Sequence, residues 1–136
     1  MERYGAITNV TFAAAELGLP MSVRVVRRAQ ARPAGSDADR FATSVELDRP
    51  TIGVEVRTRD TAAAEGLPVG QDGELTVELA GTRAGQAGRR VRVERAVLTA
   101  VELHYDQREP ACVSLHFAAE APDGAADPFA AEEVTP

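Results

Sequence analysis

Ser114 and His116 stand two residues apart, so any strand that contains them presents both on one face. With Asp106 or Asp123 as orienter they supply the residue types of a nucleophile, a base and a carboxylate. A serine embedded in a strand lacks the sharp turn that exposes a nucleophile, so the spacing reads as a polar strand face and no catalytic residue is assigned. The two histidines, His104 and His116, converge if their strands are antiparallel neighbours. The pattern offers no evident third ligand, and no metal site is assigned. Cys112 is the single cysteine, shares the Ser114/His116 face and has no basic neighbour in sequence to stabilise a thiolate. It reads as structural, and no intramolecular disulfide can form.

The remaining chemistry-bearing motifs reduce to turn signals. The run 81–88 holds three glycines, but a phosphate cradle needs a helix after it and here a strand pattern follows. Asp72-Gly73 and Asp123-Gly124 lack the regularly spaced oxygen ligands of a calcium loop and fit turns. All fifteen basic residues are arginine, which removes Schiff-base chemistry, a P-loop lysine and a lysine general base. The chain is therefore expected to be no enzyme and to carry no cofactor. A net charge of -6 also disfavours sequence-specific nucleic-acid binding. That charge is unevenly spread: residues 1–40 hold six arginines against four acids, and residues 41–136 hold nine against seventeen. Arg24, Arg27 and Arg28 concentrate the basic part, and a basic edge on an acidic body can dock on a copy of itself. These three arginines are the candidate subunit interface.

The elements that must position these groups are mostly strands. Period-two alternation runs through 5–12, 43–48, 52–59, 74–80, 96–105 and 111–120, and a further strand starts at Arg89. In 21–29, Val23 and Val25 share one face, and Val26-Arg27 reads as a bulge. Asp60 to Gly66 has a capping residue, three alanines and a closing glycine, which predicts one short helix at about 60–66. Residues 31–39 read as a long loop and 81–88 as a glycine-rich hairpin turn. The fold class expected is mostly β, an antiparallel barrel or sandwich of about eight strands with one short helix. At 136 residues one domain suffices. It is placed at 1–121, followed by a weakly ordered acidic tail at 122–136. Val113, Leu115 and Phe117 are expected in the core.

Several short motifs between Thr51 and Pro128 resemble one family. They are Asp60-Thr61 with Leu67 after a valine-rich strand, then Gly70-Gln71-Asp72-Gly73-Glu74-Leu75 opening the next strand, then Ala96-Val97-Leu98 with Val101. The last group is Pro110-Ala111 before Val113, Leu115 and Phe117, then Ala119, Pro122-Asp123-Gly124 and Pro128. Together they look like the tube-forming proteins of phage tails and the related haemolysin-coregulated protein of type VI secretion. The resemblance implies a β-barrel flanked by a short helix, six copies closing into a ring, and rings stacking around a channel. It also places residues 31–39 where the family has an extended stacking loop, by position and not by residue identity.

The function expected is therefore a self-assembling structural protein of a phage tail or tail-derived tube, with itself and other tail or secretion components as partners. The alternative is a monomeric β-sandwich module binding a peptide or carbohydrate. Aromatic residues are 4% of the chain and tryptophan is absent, which leaves little stacking surface for sugar. No signal-peptide pattern opens the chain, and 4–15, its longest charge-free stretch, is too short and polar to cross a bilayer. A soluble protein that folds in the cytoplasm is expected, with a virion or a secreted tail-like particle as a further destination and no membrane partner.

Overall fold

Alternation of apolar residues decides which face of each strand turns inward. In β6 (Thr51–Thr58), Ile52, Val54, Val56 and Thr58 are buried and the residues between them are half-buried. The computed structural model describes residues 4–29, 31–35, 41, 44–47, 50–81, 85, 87–120 and 129–134. Its other strands are β1 (Tyr4–Phe12), β2 (Ala15–Leu17), β3 (Pro20–Arg28), β4 (Ala31–Ala34), β5 (Ser44–Leu47), β7 (Asp72–Gly81), β8 (Gly88–His104), β9 (Cys112–Ala119) and β10 (Phe129–Val134). Eight of the ten form one antiparallel sheet in the order β2-β1-β7-β8-β9-β6-β3, with β10 also on β8; β4 and β5 pair separately. One short helix, α1 (Thr61–Ala64), lies between β6 and β7.

The sheet curls but does not close into a barrel. Its terminal strands β2 and β3 are consecutive in the chain, separated only by Gly18 and Leu19. The two ends of the sheet therefore meet at this corner, where one chain direction pairs first with β1 and then with β6. No ladder joins β1 to β3 beyond it among the described residues. The corner is tied down by side chains. Thr58 Oγ1 donates to the Gly18 carbonyl and accepts from Asp60 N at 3.0 Å, and Asp60 Oδ2 accepts from Gly18 N at 3.0 Å. Asp60 Oδ1 accepts from Ala63 N at 3.2 Å and so also caps α1.

The core lies inside the curl. Phe12, Leu17, Val56, Leu75, Val93, Leu98, Val113 and Leu115 are essentially inaccessible, and the rings of Phe12 and Phe117 meet at 4.7 Å and 59°. Such a tilted pair contributes about 0.5–1.5 kcal/mol beyond its burial. Placement of Val113, Leu115 and Phe117 in this core agrees with the period-two reading.

Four local expectations are revised. Residues 31–34 are strand, because β4 and β5 continue the β3/β6 hairpin as a two-stranded arm. Pairing from Ser22 to Arg28 is unbroken, and the irregularity of β3 falls between Pro20 and Ser22, not at Val26-Arg27. The two strands read at Arg89 and at 96–105 are one 17-residue strand, β8. It takes β7 on one edge at 89–97, and on the other edge β9 at 96–104 and β10 at 88–93. Where composition suggests a loose tail, Phe129–Val134 is strand β10, matched in charge to β8 through Glu132 opposite Arg90 and Glu133 opposite Arg89. The short helix expected at about 60–66 is present as Thr61–Ala64, capped by Asp60 and Glu65. Residues 82–84 and 86 of the glycine-rich turn lie outside the described residues, as do 36–40 and 121–128.

Candidate functional site

The three candidate arginines share β3, the last strand of the sheet, and all are exposed. The pleat splits them. Arg24 and Arg28 lie on the outer face with Val26 between them, and Arg27 turns to the other face, where its guanidinium sits 5.2 Å from the Phe129 ring centroid. Neither Arg24 nor Arg28 takes part in an ion pair among the described residues.

Strand register arranges the outer face into rows. Arg24 is opposite Glu55, which is opposite His116; Val26 is opposite Gly53, which is opposite Ala118; Arg28 is opposite Thr51. The middle row is low because Gly53 has no side chain, and a Cβ there would find only the Phe117 carbonyl oxygen, at 3.8 Å. The outcome is an open groove of about 310 Å³ across β3, β6 and β9. Arg24, Glu55 and His116 form one wall, Arg28 and Thr51 the other. The only advance signal of this groove is a lone glycine within a strand pattern, a mark of close approach by another group; composition and charge do not reveal it.

Ser114, Cys112, His104 and His116 are brought together, but not as a catalytic set. β9 is buried on both faces at its start, with Cys112 and Ser114 enclosed as well as Val113 and Leu115. This corrects the polar outer face expected there. The cause is long side chains on the flanking strands: Arg57 and Glu102 stand on either side of Ser114 in register, and Arg57 Nη2 approaches Cys112 Sγ at 3.9 Å. Glu102 lies between the histidines, with Oε2 3.6 Å from His104 Nε2 and Oε1 3.5 Å from His116 Nε2. His116 Nε2 is buried and makes no hydrogen bond, so its contact with Glu102 is electrostatic and requires a protonated ring. Asp106 Oδ1 accepts from Arg108 N at 2.9 Å within the β8–β9 turn, and Asp123 lies outside the described residues. Among the described residues no three His, Cys, Asp or Glu side chains are placed to share a metal ion.

Arg90 and Arg95 are paired along the sheet. Arg90 Nε and Nη2 donate to Glu78 Oε1 at 3.2 and 3.0 Å, and Nη1 reaches Glu132 at 3.5 Å. The Glu78 hydrogen bonds and charge, with a smaller share from Glu132, hold the Arg90 guanidinium above its ordinary value. Arg95 bridges Asp72 at 3.1 Å and Glu120 at 3.2 Å. Arg24 and Arg28 make no such pair among the described residues.

Exposed large apolar residues fall mainly into two groups. Leu19, Met21 and Val25 lie on or just before β3, with Phe41 and Val45 in the arm region; Leu103 and Tyr105 lie beside the acidic β8–β9 turn. No helix among the described residues is long and apolar enough to cross a membrane. No family model matches the chain, and no curated protein matches it. The outer face of β3 is basic, and a groove opens across it between Arg24 and Arg28.

Proposed function

We propose that the chain is a self-assembling structural subunit, whose copies join through the β3 face and close into rings of the kind that stack into phage-tail and tail-derived tubes. The observation that carries this reading is the uncovered edge of β3. Nine residues of strand end the sheet with one ladder, to β6, and among the described residues no strand pairs with the other side. Edge strands template pairing with another chain unless they are shortened, bulged or covered. Here the edge is long and adjoins Leu19 at 68% exposure, Met21 at 41% and Val25 at 36%. Apolar surface of this kind beside an open edge favours association over isolation. Arg24, Arg27 and Arg28 orient the approach, while main-chain pairing and apolar contact supply most of the affinity, because exposed ion pairs contribute about 0–1 kcal/mol each.

The groove over Gly53 favours a second reading, a monomeric module that takes a peptide. Light scattering coupled to size exclusion, run over a wide range of protein concentration, separates the two. A closed oligomer is the expected result. A chain that is monomeric at every concentration overturns the assembly reading and leaves the module.

A further inference from the structure

We infer that the β8–β9 turn of one copy is the ligand of the β3 groove of the next, with Glu109 held between Arg24 and Arg28 and the Tyr105 ring laid over Gly53. The inference rests on the assembly reading and names the second half of its contact. Two surfaces of this chain are both apolar and charged, and their charges are opposite. One is the β3 face, where Arg24 and Arg28 stand around Val26 and Gly53 without an ion pair among the described residues. The other is the turn from Leu103 to Pro110, exposed throughout, where Leu103 is 44% and Tyr105 72% accessible. That turn holds Asp106 and Glu109 against the single Arg108. Asp106 is engaged by the Arg108 amide, while Glu109 makes no contact of its own among the described residues.

Within one molecule Glu109 does not lie between these arginines. The row of Val26 and Gly53 is level with Ala118 near the end of β9, and the turn precedes Cys112 at its start. Six residues of extended chain, about 20 Å, separate Ala118 from Cys112, and only the near wall at His116 approaches the base of the turn, through Glu102. Contact is therefore between copies and heterologous, with each copy giving its turn and receiving its neighbour's, the geometry that closes into a ring or continues as a stack. Shape agrees with charge. Val26 and Gly53 give a low floor on which a flat ring can lie, and the two guanidinium groups outnumber the one carboxylate already in the groove, Glu55, by one charge, which Glu109 would balance.

A charge-exchange experiment on the full chain tests this. Glu109→Arg alone, and Arg24→Glu with Arg28→Glu alone, are each expected to weaken self-association at least tenfold in sedimentation equilibrium. Combining all three changes in one chain is expected to restore it to within about threefold of wild type. Gly53→Val has room for its side chain and fills the groove, so it is expected to weaken association while the melting temperature is kept or raised. Circular dichroism melts of each variant separate folding from binding. If the wild-type chain assembles but Glu109→Arg and Gly53→Val leave its association unchanged, the inference falls and the assembly reading stands. Failure of the triple variant to recover, with its fold intact, also overturns the pairing of Glu109 with these arginines. A wild-type chain that stays monomeric overturns both.

Discussion

Replacing Asp60 tests whether one carboxylate holds the corner at which the two ends of the sheet meet. Its two oxygens have separate tasks. Oδ1 caps α1 through Ala63 N, and Oδ2 takes the Gly18 amide between β2 and β3. Asp60→Ala loses a helix cap, about 1 kcal/mol, and leaves a half-buried amide without its acceptor, about 1 kcal/mol more. Asp60→Asn keeps one oxygen and replaces the other with an amide that cannot accept, so only one of the two tasks survives and the loss is about 1 kcal/mol. For 136 residues, an unfolding entropy of about 2.1 cal/mol/K per residue converts these losses to melting-temperature drops of roughly 7 °C and 3–4 °C. Differential scanning calorimetry at fixed protein concentration reads both. The expected order is wild type, then Asn, then Ala. A Tm for Asp60→Ala within a degree of wild type, or identical values for Asn and Ala, would refute the division of labour between the two oxygens.

Leu115→Ala and Phe117→Ala, both fully or almost fully buried, are expected to destabilise by about 2–5 kcal/mol in urea melts. Glu102→Ala on the neighbouring strand is expected to cost about 0.5 kcal/mol or less, and equal losses at Phe117 and Glu102 would contradict the register. Gly73→Ala brings a Cβ within 2.6 Å of Ala13 Cβ and 2.9 Å of its Cα, whereas Gly53→Ala meets nothing closer than 3.8 Å. The first is expected to lose about 1–3 kcal/mol and the second to be neutral or gain up to about 1 kcal/mol, as read by chemical denaturation. Cys112→Ala, a buried position outside both the groove and the turn, is expected to leave self-association within about twofold of wild type; loss of association with the fold intact would assign it a role.

Most strands are legible because one face of each is buried. Ile52, Val54 and Val56 alternate with polar or small residues, and Leu75 and Val77 do the same in β7, so period two shows directly. What escapes reading escapes for identifiable reasons. The β1–β2 hairpin turns on Ala13 and Ala14 with φ of 51° and 67°, a left-handed pair usually filled by Asn-Gly, so the sequence carries no turn signal. β10 is short, acidic and alanine-bearing, and only its complement, Arg89-Arg90 forty residues upstream, makes it a strand. Burial of Cys112 and Ser114 depends on the reach of Arg57 and Glu102 from adjacent strands, which strand alternation does not express. For the candidate face, the excess of arginine on 24–28 is plain in the sequence. The groove between those arginines is not, because it arises when Val26, Gly53 and Ala118 from three strands fall into one row.

The order of strands in the sheet also has a consequence for synthesis on the ribosome. Val10 in β1 pairs with Val77 in β7, and at about 5–20 residues per second those two positions leave the ribosome roughly 3 to 13 s apart. During that interval β1 carries Val10 and Phe12, both destined for the core, with its β7 edge open. β2 follows β1 across a two-residue turn and pairs Val10 with Leu17 within the same second or so of elongation. The three residues that bring Leu17 into the core thus also cover one edge of a nascent strand while its other edge waits for β7, shortening the exposure of an aggregation-prone segment at the moment it is most vulnerable.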